Sequence, residues 1–134
     1  MAFQAAMSAG GREMIKFIQC IRKRPELSHV EFRRLWAEYR ERAAAVAEVT
    51  GVARFSISTM LTVAHNVHVQ LDRGTVAPFD GVAEFWFPKA SGLEEVFERP
   101  EVIKRVTAMR ELQEQLADLS QSVFFFASEE VVSG

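Results

Sequence analysis

SHVEFRRLWAEYRERAAAVAE, residues Ser28 to Glu48, reads by its spacing as one amphipathic helix. Phe32, Leu35, Trp36, Tyr39, Ala43, Val46 and Ala47 recur at intervals of three and four, which draws a single apolar stripe. Ser28 with Glu31 forms a capping box, in which side chain and backbone satisfy each other's orphan amides. Gly51 stands where a left-handed residue ends a helix. Two large aromatic rings in one stripe need a flat apolar surface to cover, and the flanking segments supply it as strands.

Met14–Arg22 (MIKFIQCIR) is short, apolar and β-branched, the pattern of a buried strand. Arg24-Pro25-Glu26-Leu27 turns it into the helix. Residues 52–63 alternate: Arg54, Ser56 and Ser58 take one face, Phe55, Ile57 and Leu61 the other. His65–Phe79 shows no sustained period and carries Gly74 and Pro78, so it reads as a long excursion with a little strand around Val67–Leu71. Asp80–Phe87 is a third strand, with Ala83, Phe85 and Phe87 on one face and Val82, Glu84 and Trp86 on the other. Ser91 with Glu94 predicts a second capping box, and Pro100 breaks or kinks the helix that follows. Helix resumes over 101–118, with Ile103, Val106, Met109, Leu112 and Leu116 inward. Ser122–Ala127 is the last strand.

The order βαββαβ predicts an α+β, ferredoxin-like fold: a four-stranded antiparallel sheet with two helices on one face. The opposite face keeps apolar residues, including Val82 and Trp86, that no helix covers. Pairing of two copies face to face, a homodimer, covers such a sheet economically. Residues 1–13 lack a basic start and an apolar core, so they read as a flexible extension rather than a signal peptide, with Met14 an alternative start. The domain then spans 14–130, and 131–134 is a tail.

A chain of 134 residues suits one domain with a real core. With 49% apolar and 25% charged residues it is neither disordered nor embedded in a bilayer. No apolar run approaches the ~20 residues of a membrane span. The net charge of −2 and the lack of a Lys/Arg run argue against nucleic acid. A single cysteine excludes an internal disulfide and fits a reducing, cytoplasmic setting.

KRPELSHVEFRRLW (Lys23–Trp36), followed by FDGVAEFWF (Phe79–Phe87), resembles the EthD family of the dimeric α/β-barrel superfamily over about residues 14 to 130. The resemblance implies a homodimer whose sheets pack into a barrel. It also implies a small-molecule pocket in each subunit, commonly between sheet and helices. Relatives in that superfamily dehydrate, decarboxylate, cyclise or oxidise polyketide-like and phenolic compounds without a cofactor. One departure stands out. The family's usual Trp-x-x-x-His is Trp36-Ala37-Glu38-Tyr39-Arg40 here, so a permanently charged guanidinium replaces a group that titrates near neutrality.

The candidate catalytic residues are therefore Arg40, Glu84, His65 and His68. Arg40 is either a pocket cation that stabilises an enolate or a surface residue. Glu84, mid-strand between Val82 and Trp86, is either a proton-transfer group or one half of an ion pair, with Arg54 as a partner. His65 or His68 would supply the missing base. In an extended segment residues three apart face opposite ways, and no Cys, Asp or Glu joins them at ligand spacing, so a metal is not expected. Trp36, Tyr39, Phe85 and Trp86 are candidate contacts for a hydrophobic or aromatic ligand, or else core. No phosphate loop, nucleophile elbow or dinucleotide fingerprint is present, so no cofactor is expected. The leading function is a cofactor-free lyase or cyclase that dehydrates, cyclises or decarboxylates a hydrophobic or aromatic, polyketide-like substrate; the alternatives are a non-catalytic ligand-binding or accessory dimer in a degradation pathway and a cofactor-free oxygenase as in related barrels.

Overall fold

The computed structural model of the protein describes residues 14–134. The expected extension over 1–13 lies outside the described residues. Strand β1 (Met14–Ile21) leads through a turn to α1 (His29–Thr50) and back to β2 (Arg54–Thr59). A short helix, α2 (Ala64–Arg73), precedes β3 (Gly81–Phe87). Helices α3 (Leu93–Glu98) and α4 (Pro100–Leu116) follow, and β4 (Val123–Glu129) completes the sheet. The sheet is antiparallel throughout, in the order β2-β3-β1-β4.

Helix α1 begins as its sequence requires. Ser28 accepts from the Glu31 amide, Glu31 returns the bond to the Ser28 amide, and Gly51 ends the helix at φ 73°. Its buried stripe is Phe32, Trp36, Tyr39, Ala43, Val46 and Thr50. Phe32, Trp36 and Tyr39 stack in a row, with ring centroids 5.5 and 5.2 Å apart. Two arginines lock α1 to α4. Arg42 donates to the Ala108 carbonyl at 2.7 Å, and Arg105 donates to the Ala45 carbonyl at 2.9 Å.

Register sorts the sheet into two faces. Ile15, Phe17, Gln19 and Ile21 of β1 lie opposite Phe87, Phe85, Ala83 and Gly81 of β3 on the helix side. Phe55 and Ile57 of β2 and Phe124 and Phe126 of β4 join them. The open face carries Lys16, Ile18, Cys20, Val82, Glu84, Trp86, Arg54, Phe125 and Glu129. The core lies between the helix-side face and the α1–α4 pair.

Four local expectations are corrected. Residues 64–73 form a helix rather than a loop with a strand. An isolated strand there would leave its backbone groups unpaired, whereas α2 pairs its own and closes on Gly74 at φ 69°. The second strand is shorter than 52–63, and Leu61, expected inward, is exposed beyond its end. The box expected from Ser91 and Glu94 does not form: Gly92 takes a left-handed φ of 83° and is itself the N-cap of α3. In α4, Val102 rather than Ile103 faces inward, because Val102 falls in line with Val106, Met109, Gln113 and Leu116 at spacings of four and three.

Candidate functional site

Gln19 sits on the helix side of β1 between Phe17 and Ile21, where the pattern demands an apolar residue. It is 1% exposed. A buried amide is costly unless its polar atoms are satisfied, and two helices supply partners. Tyr39 of α1 donates its hydroxyl hydrogen to Gln19 Oε1 at 2.6 Å. Gln113 of α4, 5% exposed, donates from Nε2 to Tyr39 Oη at 2.9 Å. Strand, first helix and last helix thus meet in one chain of hydrogen bonds. Burial pushes the Tyr39 hydroxyl up to about 12, although both glutamine bonds pull it down. Tyr39 is therefore neutral near pH 7.

Beside this chain lies a cavity of about 390 Å³ between the sheet and α4. Phe17, Phe85, Phe87, Phe124 and Phe126 form its floor, Val106, Met109 and Gln113 its roof, and Phe97 and Leu119 its ends. Its origin is in the topology. β4 is an edge strand, and the helix pair leaves Phe124 and Phe126 partly uncovered. Gln19 Nε2 and Gln113 Oε1 make no hydrogen bond among the described residues, and both side chains line the cavity. They offer one amide donor and one carbonyl acceptor to whatever enters. Arg110 stands at the rim.

The predicted site residues fall in five places. Phe85 lines the cavity, and Tyr39 orients the two glutamines behind it. Trp36 is buried between Phe32 and Tyr39, packed on Gly81. Glu84 and Trp86 lie on the open face. Glu84 pairs with Lys16 at 3.3 Å rather than with Arg54, which instead stacks 4.7 Å over the Trp86 ring. The Trp86 indole N–H donates to Glu129. Cys20 shares that face; burial first, and the Glu84 charge second, raise its thiol pKa above the ordinary value.

Arg40 is exposed and pairs with its neighbour Glu41 at 3.1 Å, beside Trp36 and Thr59 and away from the cavity. His65 and His68 lie on α2, outside the cavity lining, with ring centroids 6.4 Å apart. They share a helical neighbourhood rather than opposite strand faces, because residues three apart on a helix are neighbours. Among the described residues no group of three or more His, Cys, Asp or Glu is placed to hold a metal ion.

Gln19, Gln113 and Arg110 were not among the sequence candidates. A signal existed for the first two: Gln19 interrupts an apolar row, and Gln113 falls on the inward side of α4 beside Leu112 and Leu116.

Residues 24–119 match the family model described as the EthD domain. The chain belongs to the EthD family. No curated protein matches it. Solved structures do. A dimeric protein of unknown function and ferredoxin-like fold from Bacteroides fragilis is 10% identical at TM-score 0.59, covering 87% of this chain and 96% of that one. The hydroxynitrile lyase of Passiflora edulis is 13% identical at TM-score 0.60, over 92% and 99% of the two chains. SnoaB, a cofactor-independent oxygenase from Streptomyces nogalater, is 14% identical at TM-score 0.52, over 90% and 98%. At these identities the likeness shows the fold: this EthD chain shares a ferredoxin-like architecture that also houses small-molecule enzymes. Among the described residues of the EthD chain, no helix is long and apolar enough to cross a membrane.

Proposed function

We propose that this EthD protein is a cofactor-free enzyme of the lyase, cyclase or oxygenase type that works as a homodimer. Its substrate is a small, flat, hydrophobic or aromatic molecule of polyketide-like chemistry. One observation carries the reading: a cavity of about 390 Å³ walled by phenyl rings, lined by Gln19 and Gln113, whose Nε2 and Oε1 respectively make no hydrogen bond among the described residues. Pockets of this kind take their affinity from apolar burial and their orientation from a few fixed polar groups.

The chemistry follows from the lining. Gln19 Nε2 can donate to a substrate oxygen, and that bond strengthens as the oxygen gains charge in an enolate-like state. Tyr39 fixes the Gln19 amide, and Gln113 fixes Tyr39, so the donor is oriented before the substrate arrives. No carboxylate or imidazole lines the cavity among the described residues. The substrate must therefore bring its own acidity, as an enol, a phenol or a 1,3-dicarbonyl does. That same observation favours a second reading, in which the dimer binds such a molecule and does not transform it.

Incubation with anthrone and with hydroxylated naphthalenes, followed by absorbance, separates the readings. Consumption by the wild-type protein that falls at least 10-fold in Gln19→Leu supports catalysis. Tight binding without consumption supports the second reading. A protein that neither binds nor consumes any of these compounds contradicts both.

A further inference from the structure

Arg110 is the one charged residue among those lining the cavity. It follows Val106 and Met109 and precedes Gln113 on the same side of α4, a spacing that places all four on one face. It is exposed while Gln113 is buried, so it marks the mouth and Gln113 the interior. Its charge is uncommitted. Arg42 and Arg105, which join the same helix pair, are bonded to main-chain carbonyls and carboxylates. Arg110 has neither an ion pair nor a hydrogen bond among the described residues. Glu114 lies four residues on, the usual partner spacing on a helix, yet the two do not pair.

We infer that Arg110 selects anionic ligands for this cavity, and that the ligand class is planar aromatic carboxylates. The inference rests on the cavity reading above and adds the charge of its occupant. A guanidinium matches a carboxylate through two parallel N–H bonds. The phenyl walls hold the aromatic body, and the low polarity of those walls strengthens the attraction at the mouth. One helical turn separates Arg110 from Gln113, about 5 Å. A fused-ring acid with its carboxylate at the mouth therefore reaches the amide groups of Gln19 and Gln113 with its far edge.

The test is calorimetric titration of the full chain with 2-naphthoic acid and with its neutral counterpart, 2-naphthamide, in the wild-type protein and in Arg110→Gln. The acid should bind at least 10-fold more tightly than the amide to the wild type. Arg110→Gln should abolish that preference while leaving the amide affinity and the melting temperature unchanged. Raising the salt concentration should weaken the acid alone. Equal binding of acid and amide by the wild type, or a preference that survives in Arg110→Gln, overturns the role of Arg110 and leaves the cavity reading standing. Binding of neither compound removes the cavity reading, and this inference with it.

Discussion

Tyr39 donates its hydroxyl hydrogen to Gln19 Oε1 at 2.6 Å across the interface of first helix and sheet. The contact does two things. It satisfies a strand amide that would otherwise lie unpaired under a helix, and it aims the other end of that amide at the cavity. Gln113 closes the arrangement from the opposite helix.

The hydroxyl should titrate late. Tyr39 is the only tyrosine in the chain, so tyrosinate absorbance reports it alone. In the folded protein it should ionise near 12, against 10.0 when unfolded. A raised folded pKa means the native state holds the proton more tightly. This contribution is therefore complete below about pH 10 and is lost as pH rises through about 12. Two pKa units correspond to about 2.7 kcal/mol. Denaturant melts over this range should show the loss in wild type, and Tyr39→Phe should flatten it. Near neutrality the same variant should be destabilised by about 1–3 kcal/mol, because Gln19 Oε1 and Gln113 Nε2 lose their shared partner. Ionisation near 10 in the native protein would contradict the buried chain of hydrogen bonds.

Gly81 should tolerate no side chain. A Cβ built there would lie 2.5 Å from Trp36 Cε2 and Cζ2, inside the contact distance of real atoms. The indole sits between Phe32 and Tyr39 in a stacked row and has little freedom to retreat. Gly81→Ala should cost about 1–3 kcal/mol, the usual range for overpacking. Trp36→Phe should relieve part of that cost in a double-mutant cycle. A melting temperature unchanged in Gly81→Ala would show that the close approach of strand and helix is wrong.

The open sheet face should bury itself in a second copy. Phe125 is exposed there, opposite Ile18, with the Lys16–Glu84 pair and Trp86 alongside. Sedimentation at micromolar concentration should give a species of about twice 15.1 kDa. Phe125→Asp should bring the mass to that of one chain while keeping the far-ultraviolet spectrum. A wild-type protein that sediments as a single chain would contradict the dimer.

The fold was readable because its signals are local. Ser28 and Glu31 cap α1, Gly51 ends it, and the stripe from Phe32 to Val46 has the helical period. The face assignments of Phe55 and Ile57, and of Ala83, Phe85 and Phe87, follow from alternation alone. The excursion over 65–79 misled because Val67, Val69 and Leu71 alternate like a strand, whereas residues 64–73 satisfy their backbone groups internally as a helix that closes on Gly74. The site was harder to read for a different reason. Gln19, Tyr39, Gln113 and Arg110 come together through tertiary packing, across up to 94 positions between Gln19 and Gln113. No local spacing links them. Arg40 and the two α2 histidines drew attention by residue type, whereas the amides that line the cavity looked ordinary in the sequence.

The most direct measurement is a crystal structure of the protein soaked with 2-naphthoic acid. The account predicts the fused rings between Phe85 and Phe126, with polar contacts to Gln19 or Gln113 inside and Arg110 at the mouth. A cavity closed by its own side chains, or a ligand bound only outside this cavity, would contradict it.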